Sequence, residues 1–93
     1  MYTVVPSKDF QKSLGKLRRS GRFNESLLEK TLLFLAGGDS LPMHYEDHIL
    51  KGDMSHFRQC HIKDDLLLQY KKNGEIMVIT LGDIGTHHQL LGR

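Results

Sequence analysis

Phe57-Arg58-Gln59-Cys60-His61-Ile62-Lys63-Asp64-Asp65-Leu66-Leu67-Leu68-Gln69-Tyr70-Lys71-Lys72-Asn73-Gly74-Glu75-Ile76-Met77-Val78-Ile79-Thr80-Leu81 is the stretch on which the fold turns. Residues 57–62, 66–71 and 75–81 read as strands, rich in apolar, aromatic and β-branched side chains. The last two meet at Asn73-Gly74, the dipeptide preferred in tight type I′ hairpins. The stretch predicts a three-stranded antiparallel meander.

Outward from it, toward the N-terminus, the elements change type. Tyr2-Thr3-Val4-Val5 is a β-branched run closed by Pro6, an edge strand whose missing N–H costs nothing. Ser7 can cap a helix in which Phe10, Leu14 and Leu17 recur at i, i+4 and i+7, with Gly21 just past its end. Asn24 offers a second cap, ahead of a broader stripe of Leu27, Leu28, Thr31, Leu32 and Leu35 that ends at Gly37-Gly38. These two helices form a hairpin. Residues 39–52 contain Pro42 and Gly52 and show no sustained period, so an irregular connection is expected there. In the tail, Thr86 can cap a helix or end a strand ahead of His87-His88 and Leu90-Leu91. The predicted architecture is α+β: an N-terminal strand, a two-helix hairpin, then the meander, with the helices on one sheet face and the other face open.

Composition sets bounds on function. A chain of 93 residues is expected to form a single domain over 1–93. No run approaches the roughly 18 apolar residues of a membrane span, and the N-terminus lacks the basic and apolar pattern of a secretory signal. A cytoplasmic protein is expected. The single cysteine, Cys60, has no partner for an internal disulfide or a CxxC site, which suits a reducing compartment. Net charge is only +2, yet Lys8, Lys12, Lys16, Arg18, Arg19 and Arg22 crowd the first quarter. On charge alone that end is as well read as a solvated helix face as a surface for an anionic partner.

The chemistry concentrates in the second half. All six histidines, His44, His48, His56, His61, His87 and His88, fall there. Imidazole gives or takes a proton near neutrality, so converging histidines suit acid and base catalysis, although any one of them alone is more simply structural or exposed. Pleat parity separates Cys60 and Ile62, which suit a buried face, from Gln59 and His61, which project to the open one. Asp65, at the turn into the next strand, can reach the same neighbourhood and orient an imidazole, though a plain turn role is its commoner use. His44 and His48 are four apart, but Pro42 argues against the helix that would make that spacing a zinc pair. No metal and no cofactor are expected. Gly82-Asp83-Ile84-Gly85 lacks the lysine and the glycine spacing of a phosphate-cradling loop.

Tyr45-Glu46-Asp47-His48-Ile49-Leu50-Lys51-Gly52, followed by the run from Phe57 to Tyr70, resembles the YafQ branch of the RelE superfamily of bacterial toxins. Gly85-Thr86-His87 followed by Leu90-Leu91-Gly92 is similar to that branch's C-terminal motif, and the order of elements matches the family fold over the whole chain. The resemblance implies the toxin of a type II toxin-antitoxin pair. Such a protein enters the ribosomal A site, cuts messenger RNA during translation, and is silenced by a protein antitoxin. Any DNA contact would come only through the antitoxin complex.

Carried over residue by residue, the family's catalytic set falls on His48, His61, Asp65 and His87. His87 takes the place of the general acid that protonates the leaving 5′ oxygen, with Asp65, His48 or His61 as base. The implied reaction is attack of the RNA 2′-hydroxyl on its own phosphate, leaving a 2′,3′-cyclic phosphate without a metal. Arg58 can neutralise the phosphate, or, since its parity matches Cys60, form a structural salt bridge toward the helices. The family pattern often has Pro at Asp64, which leaves Asp64 and Asp65 both open as the carboxylate. It often has Asp at Gln59, and Phe at Leu91, where a substrate base would stack. Lys12, Lys16, Arg18 and Arg19 would face ribosomal RNA or an acidic antitoxin segment. Two other readings stand beside this one: a toxin of the same fold that binds DNA gyrase, and a non-catalytic module that binds RNA or antitoxin.

Overall fold

The computed structural model describes residues 1–90. Thr3–Pro6 forms β1, Lys8–Arg19 α1, Glu25–Gly37 α2, His48–Ile49 β2, Arg58–Lys63 β3, Leu66–Asn73 β4, Val78–Gly85 β5 and His87–Leu90 α3. The strands make one five-stranded mixed sheet in the order β1-β5-β4-β3-β2. The meander β3-β4-β5 is antiparallel, as its sequence predicts. β1 joins it parallel to β5, with Val4 opposite Ile79 and Pro6 opposite Leu81, so Pro6 sits on an outer strand.

Local chemistry accounts for the helix ends. The Ser7 Oγ accepts from the Phe10 N–H at 3.1 Å and donates to the Gly82 carbonyl at 2.9 Å, so one cap starts α1 and ties it to β5. The Asn24 Oδ1 accepts from the Ser26 N–H and starts α2. Gly38, at φ 80°, ends it: a Cβ there would lie 2.8 Å from the Tyr2 ring, besides the strain of a left-handed residue. Arg18 of α1 and Glu25 of α2 pair across the helix turn.

Both helices cover the same face. Phe10, Leu14, Leu28 and Leu35 pack with Cys60, Ile62, Leu68, Tyr70, Ile79, Leu81 and Ile84 into one core. Gln59, His61, Leu67 and Gln69 alternate with these residues and lie on the opposite face.

Three expectations need correction. The 39–52 stretch is not wholly irregular: His48-Ile49 pairs with Arg58-Gln59 as a short edge strand, too short for a period of two to show. The β4–β5 connection is not a two-residue type I′ turn. Its Asn73 and Gly74 are not left-handed; four residues intervene, Met77 takes φ 55°, and the Asn73 Oδ1 accepts from the N–H groups of Glu75 and Ile76. β5 therefore begins at Val78 instead of Glu75, and it runs on to Gly85. The far face is only partly open. Leu67 is fully buried there, Phe57 lies against Gly82, and α3 packs on Gly85.

Candidate active site

β2 and β3 carry the first two histidines. His48 stands opposite Gln59 across the ladder, and His61, two residues further along β3, projects on the same face. Beneath them Gln59 and Gln69 are buried and bonded to each other at 3.2 Å, so the floor is polar yet satisfied.

The turn from β3 to β4 brings the carboxylate. Asp64 takes φ 45° there, and Asp65 follows it. A single oxygen of Asp65 accepts from the His87 backbone N–H at 3.1 Å and lies 2.5 Å from the His87 Nδ1. Asp65, and not Asp64, is thus the carboxylate joined to a histidine. The His87 ring also meets His61, with centroids 5.5 Å apart at 66°. The side-chain hydrogen bond from His87, then its backbone N–H, holds the Asp65 carboxyl below the usual carboxylate range.

α3 begins with His87. The Thr86 Oγ1 accepts from the Gln89 N–H, and the Gln89 side chain accepts from the Thr86 N–H. This reciprocal capping box fixes the first turn, so His87 leaves β5 in a defined direction.

The contacts also set the tautomers. A carboxylate or a carbonyl can only accept, so the Nδ1 that meets it carries the proton. That holds for His87 on Asp65, and for His48, whose Nδ1 lies 2.7 Å from the Glu46 carbonyl. In both rings Nε2 is left for chemistry: it accepts a proton when the ring is neutral and donates one when it is charged. Glu46 also places a carboxylate oxygen 3.7 Å from the His61 Nδ1.

His48, His61, Asp65 and His87 therefore share one side of the sheet. Arg58 does not join them. Its guanidinium pairs with Asp47 at 2.9 and 3.1 Å on the helix side, where the Tyr70 hydroxyl donates to the same carboxylate at 2.6 Å. Of the two roles its sequence position leaves open, the structure shows the salt bridge that its parity with Cys60 allows. Burial, aided by the Asp47 charge, pushes the Cys60 thiol up to about 12, so it is not a nucleophile. His44 packs on Tyr45, His56 packs on Phe57, and His88 is exposed. Leu91 lies outside the described residues. Among the described residues no three side chains of metal-ligating type converge. Sequence reading gave Glu46 no role. Its place two residues before His48 was the available signal.

A family model described as the bacterial toxin of type II toxin-antitoxin systems, YafQ, matches residues 2–92. The chain belongs to the YafQ toxin family. Among solved structures, a copper-bound mutant toxin from Helicobacter pylori is similar at TM-score 0.90 and 35% identity, over 98% of this chain and 100% of that one. A metal-bound toxin from Helicobacter pylori gives 0.87 and 38%, again over 98% and 100%. The Escherichia coli DinJ–YafQ complex gives 0.86 and 26%, over 99% of this chain and 100% of that one. No curated protein sequence matches. The YafQ assignment and the α+β fold agree, and among the described residues no helix is long and apolar enough to cross a membrane.

Proposed function

We propose that this YafQ-family toxin is a ribosome-dependent endoribonuclease that cuts messenger RNA in the A site. The observation that carries the proposal is the pairing of His87 with Asp65 in ring contact with His61. Such an arrangement offers a proton donor and acceptors at one locus, which transesterification of RNA requires.

In the reaction a base, His48 or His61, takes the proton of the 2′-hydroxyl. The 2′ oxygen bonds to phosphorus and the bond from phosphorus to the 5′ oxygen breaks. His87, charged and steadied by Asp65, gives its Nε2 proton to that leaving oxygen. The products are a 2′,3′-cyclic phosphate and a 5′-hydroxyl. Asp65 is the orienting carboxylate here, since its hydrogen bonds to His87 keep it ionised. DNA lacks the nucleophile, so only RNA is cut. A codon-aligned ribosome would supply the substrate geometry that four exposed or half-buried groups on a small sheet do not impose alone.

The protein acts as one domain in the cytoplasm, and a protein antitoxin of the DinJ kind silences it. Metal-bound relatives from Helicobacter pylori make chelation the informative control. Purified protein, untreated or stripped of metal with EDTA and then freed of the chelator, is incubated with messenger RNA, with and without programmed ribosomes, beside a His87→Ala variant. Cuts that need the ribosome, survive EDTA, end in cyclic phosphate and vanish in the variant are expected. Intact RNA throughout would refute the proposal, and cuts abolished by EDTA would replace its acid-base scheme with a metal-assisted one.

A further inference from the structure

Glu46 closes the 3-10 turn Met43–Tyr45 with φ 49° and ψ 42°, a left-handed conformation that side chains other than glycine, Asn and Asp enter at a cost. Its N–H donates to the Met43 carbonyl at 2.9 Å, which fixes it there. From that position its own carbonyl lies 2.7 Å from the His48 Nδ1 and its carboxylate 3.7 Å from the His61 Nδ1. One strained residue thus reaches two imidazoles through two different groups. Strain and two contacts with site histidines at one residue together motivate a functional hypothesis.

We propose that Glu46 is a positioning residue for the β2–β3 side of the site. Its left-handed backbone turns the carbonyl onto His48, and its carboxylate sets a negative charge beside His61. The role rests on the ribonuclease reading and mirrors that of Asp65 toward His87. The carbonyl acts first, because a 2.7 Å contact selects the His48 tautomer that keeps Nε2 free. At 3.7 Å the carboxylate makes no hydrogen bond, so it acts on His61 through its charge alone. Each of two neighbouring rings, 5.5 Å apart, thus has a carboxylate of its own beside it.

Backbone and side chain can be separated by substitution. Glu46→Gly accepts the left-handed backbone and deletes the carboxylate, and Glu46→Gln deletes only the charge. Glu46→Val deletes the carboxylate and, being β-branched, resists that backbone. Each is read by the ring-nitrogen NMR spectrum of His48 and by the kcat and KM of messenger RNA cleavage on programmed ribosomes. Glu46→Gly and Glu46→Gln are expected to keep the His48 tautomer and KM while kcat falls about tenfold, the lower end for losing a partner that orients a histidine. Glu46→Val is expected to lose the tautomer preference and fall toward a hundredfold in kcat. A His48 tautomer unchanged in Glu46→Val, or kcat at the wild-type level in the other two, would overturn the proposal. If the wild-type protein leaves RNA intact, the ribonuclease reading fails, while the NMR comparison still decides whether Glu46 orients His48.

Discussion

At Asp65 two donors from one residue, the ring and the backbone N–H of His87, converge on a single oxygen. Both favour the ionised carboxyl, so the folded protein holds it below the pKa of about 3.9 that it has unfolded. The sign follows: the pair stabilises fully above about pH 4 and loses its contribution as pH falls through the lower folded value. The Tm difference between wild type and Asp65→Ala should therefore be present at pH 7 and shrink below pH 4; a difference constant down to pH 2.5 would contradict the pairing. At neutral pH, His87→Ala is expected to lower ribosome-dependent cleavage by roughly 10²- to 10⁴-fold and to lower Tm by no more than Asp65→Ala does, because the backbone N–H of residue 87 still reaches Asp65. A cleavage assay beside a melting curve checks both. His61 was legible in the sequence because pleat parity with the apolar Cys60 and Ile62 fixes its face. Glu46 was not, because its place two residues before His48 carries no sign of a left-handed backbone. The choice between Asp64 and Asp65 likewise needed the turn's dihedral angles.

Among the elements, the helices and the meander strands were legible because caps, glycines and apolar spacing agree along the chain. The failures share a cause: short elements are decided by partners distant in sequence. β2 is a strand only because β3 offers it an edge, and the β4–β5 loop widens to four residues although Asn73-Gly74 could make a tighter turn. α3 is the case that bears on the proposed site, four residues held by the Thr86 and Gln89 box and carrying His87 at its start. Thr86→Ala removes a side-chain acceptor worth about 1 kcal/mol at a helix start. Because α3 lies at the edge of the fold, that cost should appear as local fraying. Faster amide exchange over residues 87–90 with an unchanged global Tm is expected, together with a several-fold fall in kcat. A drop in Tm without loss of cleavage would mean that the box serves stability alone.

Over the whole molecule the sheet divides the labour. Its helix side holds the apolar core and the Asp47–Arg58–Tyr70 network, and the far side holds His48, His61 and His87. Arg58→Met should therefore cost stability, about 1.5–3 kcal/mol for hydrogen bonds to a charged partner, while the folded fraction still cuts RNA. Urea unfolding beside the cleavage assay tests this, and a variant that is stable but inactive would return Arg58 to the substrate. Charge divides differently. Lys8, Lys12 and Lys16 are exposed along α1, whereas Arg18 is engaged by Glu25. Under the proposed function these lysines would meet ribosomal phosphates while the far face meets messenger RNA. Each phosphate contact adds about 0.7–0.9 to the slope of log affinity against log salt. Lys8→Glu with Lys12→Glu should weaken ribosome association, flatten that slope by between one and two, and leave the ring resonances of His61 and His87 in place. An unchanged slope would assign the basic helix face to solvent or to the antitoxin. Competition by an acidic antitoxin segment for the wild-type protein, but not for the double variant, would then choose between those two.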